Sequence, residues 1–265
     1  MMTRLQWSPG LVALALALAP AVGWANERHF TLTYESAVLP LGGRELELWV
    51  TPRWGRDDFF IAYDQRVEFE VGVTSRLQSS LYFNFSQATE GVESQSNLGF
   101  SNEWKYKLLD SVADPVGLAF YGELSGSARE AELEAKVILD KRIGGLLVAF
   151  NAVGEHEWEL AAGASARELK LEADLALSYF LTDGLSLGLE LHDQAIFASD
   201  SGFESATLLG GPVVSYATHG WWAALSVTPQ LTAVKSAAFA EEFPGVLELH
   251  DHQRFSARLL FAWHL

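Results

Sequence analysis

The chain has 265 residues with 18 Lys and Arg against 34 Asp and Glu, a formal net charge of -16. That balance argues against a nucleic-acid partner, and the acidity is spread along the chain rather than gathered in a tail. The absence of cysteine excludes disulfides, thiolate metal sites and cysteine nucleophiles together, and suits folding in an oxidising compartment.

The N-terminus has the three parts of a secretory signal peptide: a basic start at Met1 to Arg4, an apolar run from Leu11 to Ala19, and small residues around Gly23-Trp24-Ala25 before a cut at Asn26. The apolar run is shorter than the ~20 residues that a spanning helix needs. Residues 1–25 are therefore expected to be removed. Residues 26–42, with Phe30, Leu32 and Tyr34, form an N-terminal periplasmic or lumenal segment. A thirteenth strand there would spoil the even parity argued below, so a place in the lumen or across its mouth is favoured.

From residue 43 onward the chain repeats segments of about ten residues with apolar side chains at alternate positions, the period of a strand. Strands are predicted over 44–53, 60–74, 76–87, 96–108, 115–126, 131–142, 145–158, 168–181, 185–197, 205–217, 220–231 and 253–265. Tight connections at 74–76, 109–115, 142–145, 182–184 and 218–220 alternate with longer ones near 88–95, 126–130, 161–167, 198–205 and 232–250. Up-and-down hairpins with short turns at one end and long loops at the other are the pattern of outer-membrane barrels.

The apolar stripes carry no Lys, Arg, Asp or Glu, whereas Glu45, Glu47, Arg66, Glu68, Glu70, Glu103 and Lys105 fall on the opposite parity. A cation on the lipid face near the midplane costs ~2–4 kcal/mol, so a membrane barrel keeps charge off that face. A soluble sandwich does the same on its inner face, but its strands usually run about 5–6 residues and these are longer. Trp104, Tyr106, Trp158, Tyr179, Trp221 and Trp263 lie near strand ends, where an aromatic girdle sits. The last strand, Phe255 to Leu265, keeps its stripe to the end and reads as the closing strand and the signal to the barrel-assembly machinery, with Leu in place of the commoner terminal Phe. The expected fold is all-β, an up-and-down antiparallel transmembrane β-barrel of about 12 strands over 43–265, embedded in outer-membrane lipid of a Gram-negative bacterium.

Three stretches carry a resemblance: Val67-Glu-Phe-Glu-Val-Gly-Val-Thr-Ser-Arg-Leu-Gln78, Glu134-Ala-Lys-Val-Ile-Leu-Asp-Lys-Arg-Ile-Gly144 and Ser178-Tyr-Phe-Leu-Thr-Asp-Gly-Leu-Ser-Leu-Gly188. With these the chain resembles the predicted outer-membrane proteins grouped with the phenol-degradation meta-pathway transporters. The resemblance implies movement of small molecules, aromatic or hydrophobic, across the outer membrane. It assigns no functional residues.

The candidate lumen-lining residues are Arg66, Glu68, Glu70, Glu103, Lys105, Lys107, Glu123, Glu132, Glu134, Lys136, Lys170, Glu172, Glu190, Arg254 and Arg258. They form either an ion-pair network that fills the bore or a channel of mixed charge leaning towards cations. Asp57-Asp58, His192-Asp193 and His250-Asp251 lie near external rims, and a protease-like groove is the sharper reading of them, polar loop ends the blander. His250 and His252 share one strand face but lack a third metal ligand, and a phospholipase-like site would need Ser101-Asn102 on the outer face beside a His. No catalytic, metal or cofactor site is assigned, and no enzyme activity is expected. Passive or substrate-specific transport of an unnamed small molecule is the expected function. The alternative is a non-conducting barrel with a structural or loop-mediated binding role, which plugging of the lumen by residues 26–42 would favour. An outer-membrane hydrolase comes third.

Overall fold

The computed structural model describes residues 27–160 and 167–265; residues 1–25, read as the signal peptide, lie outside the described residues. These residues form twelve strands: β1 (Arg44–Trp54), β2 (Phe60–Gly72), β3 (Leu77–Glu90), β4 (Glu93–Leu109), β5 (Gly117–Ser127), β6 (Glu130–Ile143), β7 (Leu146–Glu159), β8 (Arg167–Phe180), β9 (Leu185–Ala198), β10 (Gly202–Ala217), β11 (Trp221–Lys235) and β12 (Phe255–His264). Each pairs antiparallel with its neighbours, and β12 returns to β1 with Leu46 opposite Trp263 and Leu48 opposite Phe261. The sheet is a closed barrel without an edge. Closure matters because nothing in hydrocarbon can satisfy an unpaired backbone group.

The period-two pattern sets which solvent each face meets. Leu81, Phe83, Leu124 and Leu189 point outward with 57, 57, 64 and 58% of their surface exposed, far more than a buried core would tolerate. Between them the inward positions hold Glu68, Glu103, Asn151 and Glu190, all buried. The usual polarity of a soluble protein is inverted, as the outward face requires lipid. Two aromatic belts bound that face. At the end that holds Leu265, Trp221 stacks on Phe261 with centroids 5.4 Å apart and Tyr216 lies 5.5 Å from Trp221. At the other end Trp54 stacks on Phe255 at 5.7 Å, and Phe197 meets Phe203 at 5.5 Å. With an even strand count both termini of the barrel share one end, the periplasmic one in bacterial barrels.

The predicted long connections near 88–95, 126–130 and 198–205 are shorter than expected. Strands β3 and β4 run on until Glu90 pairs with Glu93, leaving a two-residue turn in which Gly91 takes φ 57°. These hairpin ends stand above the lipid, where outward positions need not be apolar, so their alternation fades from the sequence while the pairing continues. The predicted connection at 161–167 lies largely outside the described residues, and among these the longest connection between strands is 236–254. It contains a short helix, α1 (Ala237–Glu242), whose N-cap Ser236 accepts a hydrogen bond from the Phe239 amide.

The inverted polarity makes one prediction. Leu175→Arg, on the lipid face of β8, should destabilise the barrel by ~2–4 kcal/mol in denaturant titrations in lipid vesicles. A change near zero would mean that this face does not meet hydrocarbon.

Candidate functional site

The lumen is not empty. Residues 27–41 lie in its periplasmic half without joining the sheet, before Gly42 and Gly43 exchange backbone bonds with Gly72, and Phe30, Thr31, Thr33, Tyr34, Ser36 and Leu39 are buried there. The sequence offers no hydrogen-bonding strand for this segment, so its amides are satisfied by side chains that point in from the wall. Glu190 on β9 accepts from the backbone amides of Thr31, Leu32 and Thr33 at 2.8–3.0 Å and from the Thr31 hydroxyl at 2.8 Å. Asn151 on β7 bonds Tyr34 twice, accepting from its amide at 2.6 Å and donating to its carbonyl at 3.0 Å. Asp140 accepts from the Ser36 amide at 3.2 Å and Gln78 from the Leu39 amide at 2.8 Å. The segment crosses Gly72 so closely that a Cβ there would collide with the Pro40 carbonyl oxygen.

Arg28 enters the same space and lays its guanidinium over the rings of Tyr34 and Trp49, 4.1 and 4.9 Å from their centroids. Above the segment the cations alternate with aromatic rings. Arg66 sits 5.5 Å from both Trp49 and Tyr82 and 3.9 Å from Glu123, and Lys136 lies 4.5 Å from Tyr34 and 3.0 Å from Glu134. Arg258 donates to the Thr51 hydroxyl at 3.0 Å and reaches the Thr31 carbonyl at 3.4 Å. Lys170 bridges Glu155 and Glu157 at 2.7 and 2.8 Å, beside Glu132. Gln194 donates to Glu172 at 2.5 Å. Lys107 pairs with Asp110 at 3.4 Å at the periplasmic mouth, while Lys105 is buried 5.8 Å from the Tyr34 ring. Glu68, Glu70 and Glu103 are buried together in the wall behind the segment. Arg254 departs from this group: it precedes β12 at the external rim, is exposed, and lies 5.6 Å from the Phe255 ring.

Three spaces follow one another along the axis. A vestibule of about 340 Å³ opens at the external end, lined by Arg53, Asp64, Arg66, Glu132, Glu157 and Lys170 among others. Arg66 also lines a central space of about 200 Å³ whose other walls include Trp49, Tyr121, Asp174 and Arg258, with Leu32 and Tyr34 of the N-terminal segment. Beyond the segment a third space of about 240 Å³ opens to the periplasm past His29, Glu35, Arg142 and Phe180.

The acid–histidine pairs resolve differently from their order in the chain. His192 faces inward and meets Asp174 on the adjacent strand at 2.6 Å, because its neighbour Asp193 occupies the opposite parity. His250 stacks on Phe243 at 3.7 Å in the 236–254 connection rather than on a strand, with Asp251 at 3.8 Å, and Asp57 donates its amide to the Leu249 carbonyl. His252 turns inward to Glu248, with Gln194 at 3.1 Å. Ser101 also faces the lumen, bonded to Asn84 at 2.6 Å and Ser125 at 2.9 Å, so it is absent from the outer face where a phospholipase-like site needs it.

A family model described as a family of unknown function, DUF6662, matches residues 22–265. The chain belongs to that family. Its fold is similar to the COG4313 outer membrane channel from Pseudomonas putida F1, with TM-score 0.62, 14% identity, and 90% of this chain and 100% of that chain covered. It is similar also to the NanC porin, with TM-score 0.52, 12% identity and coverage of 83% and 99%. The KdgM porin in complex with disordered oligogalacturonate follows, with TM-score 0.50, 9% identity and coverage of 83% and 98%. No curated protein matches. At these identities the likeness is one of fold: the DUF6662 chain is a closed twelve-stranded barrel of the outer-membrane type.

Gln78, Asp140 and Asn151, which hold the N-terminal segment, escape the reading of alternating charge. The signal for them is a polar side chain at inward parity among small or apolar neighbours, as in Ala149-Phe150-Asn151.

Two outcomes follow from this geometry. Glu190→Ala leaves the amides of Thr31, Leu32 and Thr33 without an acceptor, at ~1–3 kcal/mol for each that is buried, so amide exchange at residues 31–33 should accelerate at least about 10-fold. Unchanged exchange would show that Glu190 does not hold the segment. Outside the membrane, burial raises the Glu248 carboxyl, but its bonds to His252 and the amides of His250 and Asp251 outweigh this and hold it down to about 2. A depressed carboxyl stabilises the 236–254 connection at pH above the ordinary carboxylate range and loses that contribution as pH falls towards 2. Protease cleavage in 236–254, followed with an acid-active protease, should therefore rise only below about pH 4.

Proposed function

We propose that this barrel carries a small solute across the outer membrane through its lumen, with residues 27–41 as a plug that sets the closed state. The observation that carries the reading is the way the plug is held. Its amides bond to single side chains of the wall, Glu190 above all, rather than pairing as a strand, and Phe30 and Tyr34 share apolar clusters with wall residues such as Ala149 and Trp222. The hydrogen bonds exchange for water at about 0.5–1.5 kcal/mol each and no strand ladder has to break, so the plug can leave without opening the barrel, while exposing the Phe30 ring adds about 1.5–3 kcal/mol and keeps the closed state dominant. The vestibule and central space on one side and the periplasmic space on the other supply the rest of the path.

The charged vestibule favours a solute with polar or charged groups. Asp64, Glu132 and Glu157 face Arg53, Arg66 and Lys170 there, with Glu130 tipping the balance towards cations. An aromatic solute, as implied by the resemblance to the phenol-degradation meta-pathway group, has a counterpart in the central space, where Trp49 and Tyr121 stand beside Arg66, Lys136 and Arg258. We assign no catalytic role: the rings of His192 and His252 meet Asp174, Glu248 and Gln194 rather than a serine hydroxyl. The second reading, a non-conducting barrel that works through its external connections, rests on the same plug if it never moves.

Planar-bilayer conductance separates the two. The mature protein should give rare, brief openings and a variant lacking residues 27–41 steady cation-preferring steps, with the preference reduced when Glu132 and Glu134 are changed to Lys. A folded deletion variant that stays silent would overturn the transport reading.

A further inference from the structure

One indole in the lumen gathers three guanidiniums. Trp49 on β1 is buried, and its ring N–H donates to Glu47 at 2.7 Å, which fixes the plane of the ring. Arg28, Arg66 and Arg258 lie 4.9, 5.5 and 5.6 Å from its centroid. They come from the N-terminal segment, from β2 and from β12, so closure of the sheet brings these like charges together. Arg66 and Arg28 both act against the charge on Arg258.

The counter-charge is unequally shared. Arg66 has Glu123 at 3.9 Å. Arg258 uses Nε on the Thr51 hydroxyl and Nη1 on the Thr31 carbonyl, both neutral, and among the described residues no carboxylate oxygen lies within 4.0 Å of it. A guanidinium carries five N–H donors, so part of this fork is unused. Arg258 and Arg66 both line the central space of about 200 Å³. The carboxylates that line the same space are already engaged: Glu134 by Lys136 at 3.0 Å, Asp174 by His192 at 2.6 Å and Glu172 by Gln194 at 2.5 Å.

We propose that Arg258 and Arg66 form a binding site in this space for a small organic carboxylate with a single negative charge and a flat apolar body. The planar guanidinium fork matches the two oxygens of a carboxylate. A phosphate dianion would face Glu134, Glu172 and Asp174 with twice the charge, so a monoanion is the better match. Leu32 and Tyr121 give the body its apolar wall. The vestibule does not bar such a solute, because Asp64, Glu130, Glu132 and Glu157 exceed Arg53, Arg66 and Lys170 there by a single charge. As a station on a path the site rests on the transport reading. As a binding site it needs only the closed barrel, since Arg66 lines both the vestibule and the central space.

The test is binding of fluorobenzoate to the refolded mature protein in non-ionic detergent, followed by fluorine NMR, with fluorobenzyl alcohol as a neutral probe of similar size. Binding at equilibrium needs no movement of residues 27–41, so its result is separate from that of the conductance experiment. Fluorobenzoate should bind saturably, and the alcohol about 10-fold or more weakly. Arg258→Gln should lower the fluorobenzoate affinity about 10-fold or more, whereas Arg254→Gln, at the exposed external rim, should leave it unchanged. Should Arg258→Gln fail to fold, Arg66→Gln keeps Arg258 and should still lower the affinity. Absence of saturable binding to the folded wild-type protein would overturn the site. So would equal binding of the alcohol, affinity undiminished in Arg258→Gln or Arg66→Gln, or binding lost in Arg254→Gln.

Discussion

The hydrogen-bonded seam between β1 and β12 is the constraint from which the rest follows. In hydrocarbon a strand edge has no partner, so the twelfth strand must find the first, and every side chain is then committed to one of two solvents. Leu46 opposite Trp263 and Leu48 opposite Phe261 line the lipid side of that seam. Its inner side carries Glu45 opposite His264, 2.6 Å apart. Closure thus exports the apolar surface that a soluble protein would hide and imports the charge that it would display.

That import sets the problem the interior has to solve. A twelve-stranded barrel is wider than one that side chains fill unaided and narrower than an open porin. This chain fills the difference with its own N-terminal segment. Because the segment has no strand partner, the amides of Thr31, Leu32, Thr33, Tyr34, Ser36 and Leu39 take acceptors from the wall, and Glu190, Asn151, Asp140 and Gln78 are those acceptors. The surrounding cations are spaced by aromatic rings, with Arg28, Arg66 and Lys136 each over Tyr or Trp, so positive charge is held in the bore without every cation consuming a carboxylate. The segment therefore occupies the bore through specific polar contacts, together with the packing of Phe30 and Tyr34 on the wall. In the proposed function it moves while the closed sheet stands still.

Much of this is legible in the sequence, and the limits are physical. Lipid imposes a strict alternation from Leu169 to Leu181, and there the predicted and observed strands agree to within a residue or so at each end. Where the hairpins rise above the bilayer, as between Gln87 and Ser96, the outward positions are free to be polar and the strands read as loops. Inward charge is likewise visible from parity, but its pairing is not, because register joins residues far apart in the chain: His192 answers to Asp174 rather than to Asp193. Arg254 has the right parity yet lies beyond the strand, at the rim, since parity says nothing about depth. The acceptors for the N-terminal segment escape notice because a lone Asn or Gln on an inward position looks like any lumen residue until the segment's amides are placed against it.

The central claim is that the path runs past residues 27–41 and opens when they move. Since the chain has no cysteine, it can be tested by a single engineered disulfide. Ser36→Cys with Asp140→Cys joins the segment to the wall where the Ser36 amide and the Asp140 carboxylate lie 3.2 Å apart. Single-channel recording of this variant should show silence when oxidised and openings once a reductant is added. Equal currents in the two states would contradict the account, because the solute would then be passing without displacing the segment.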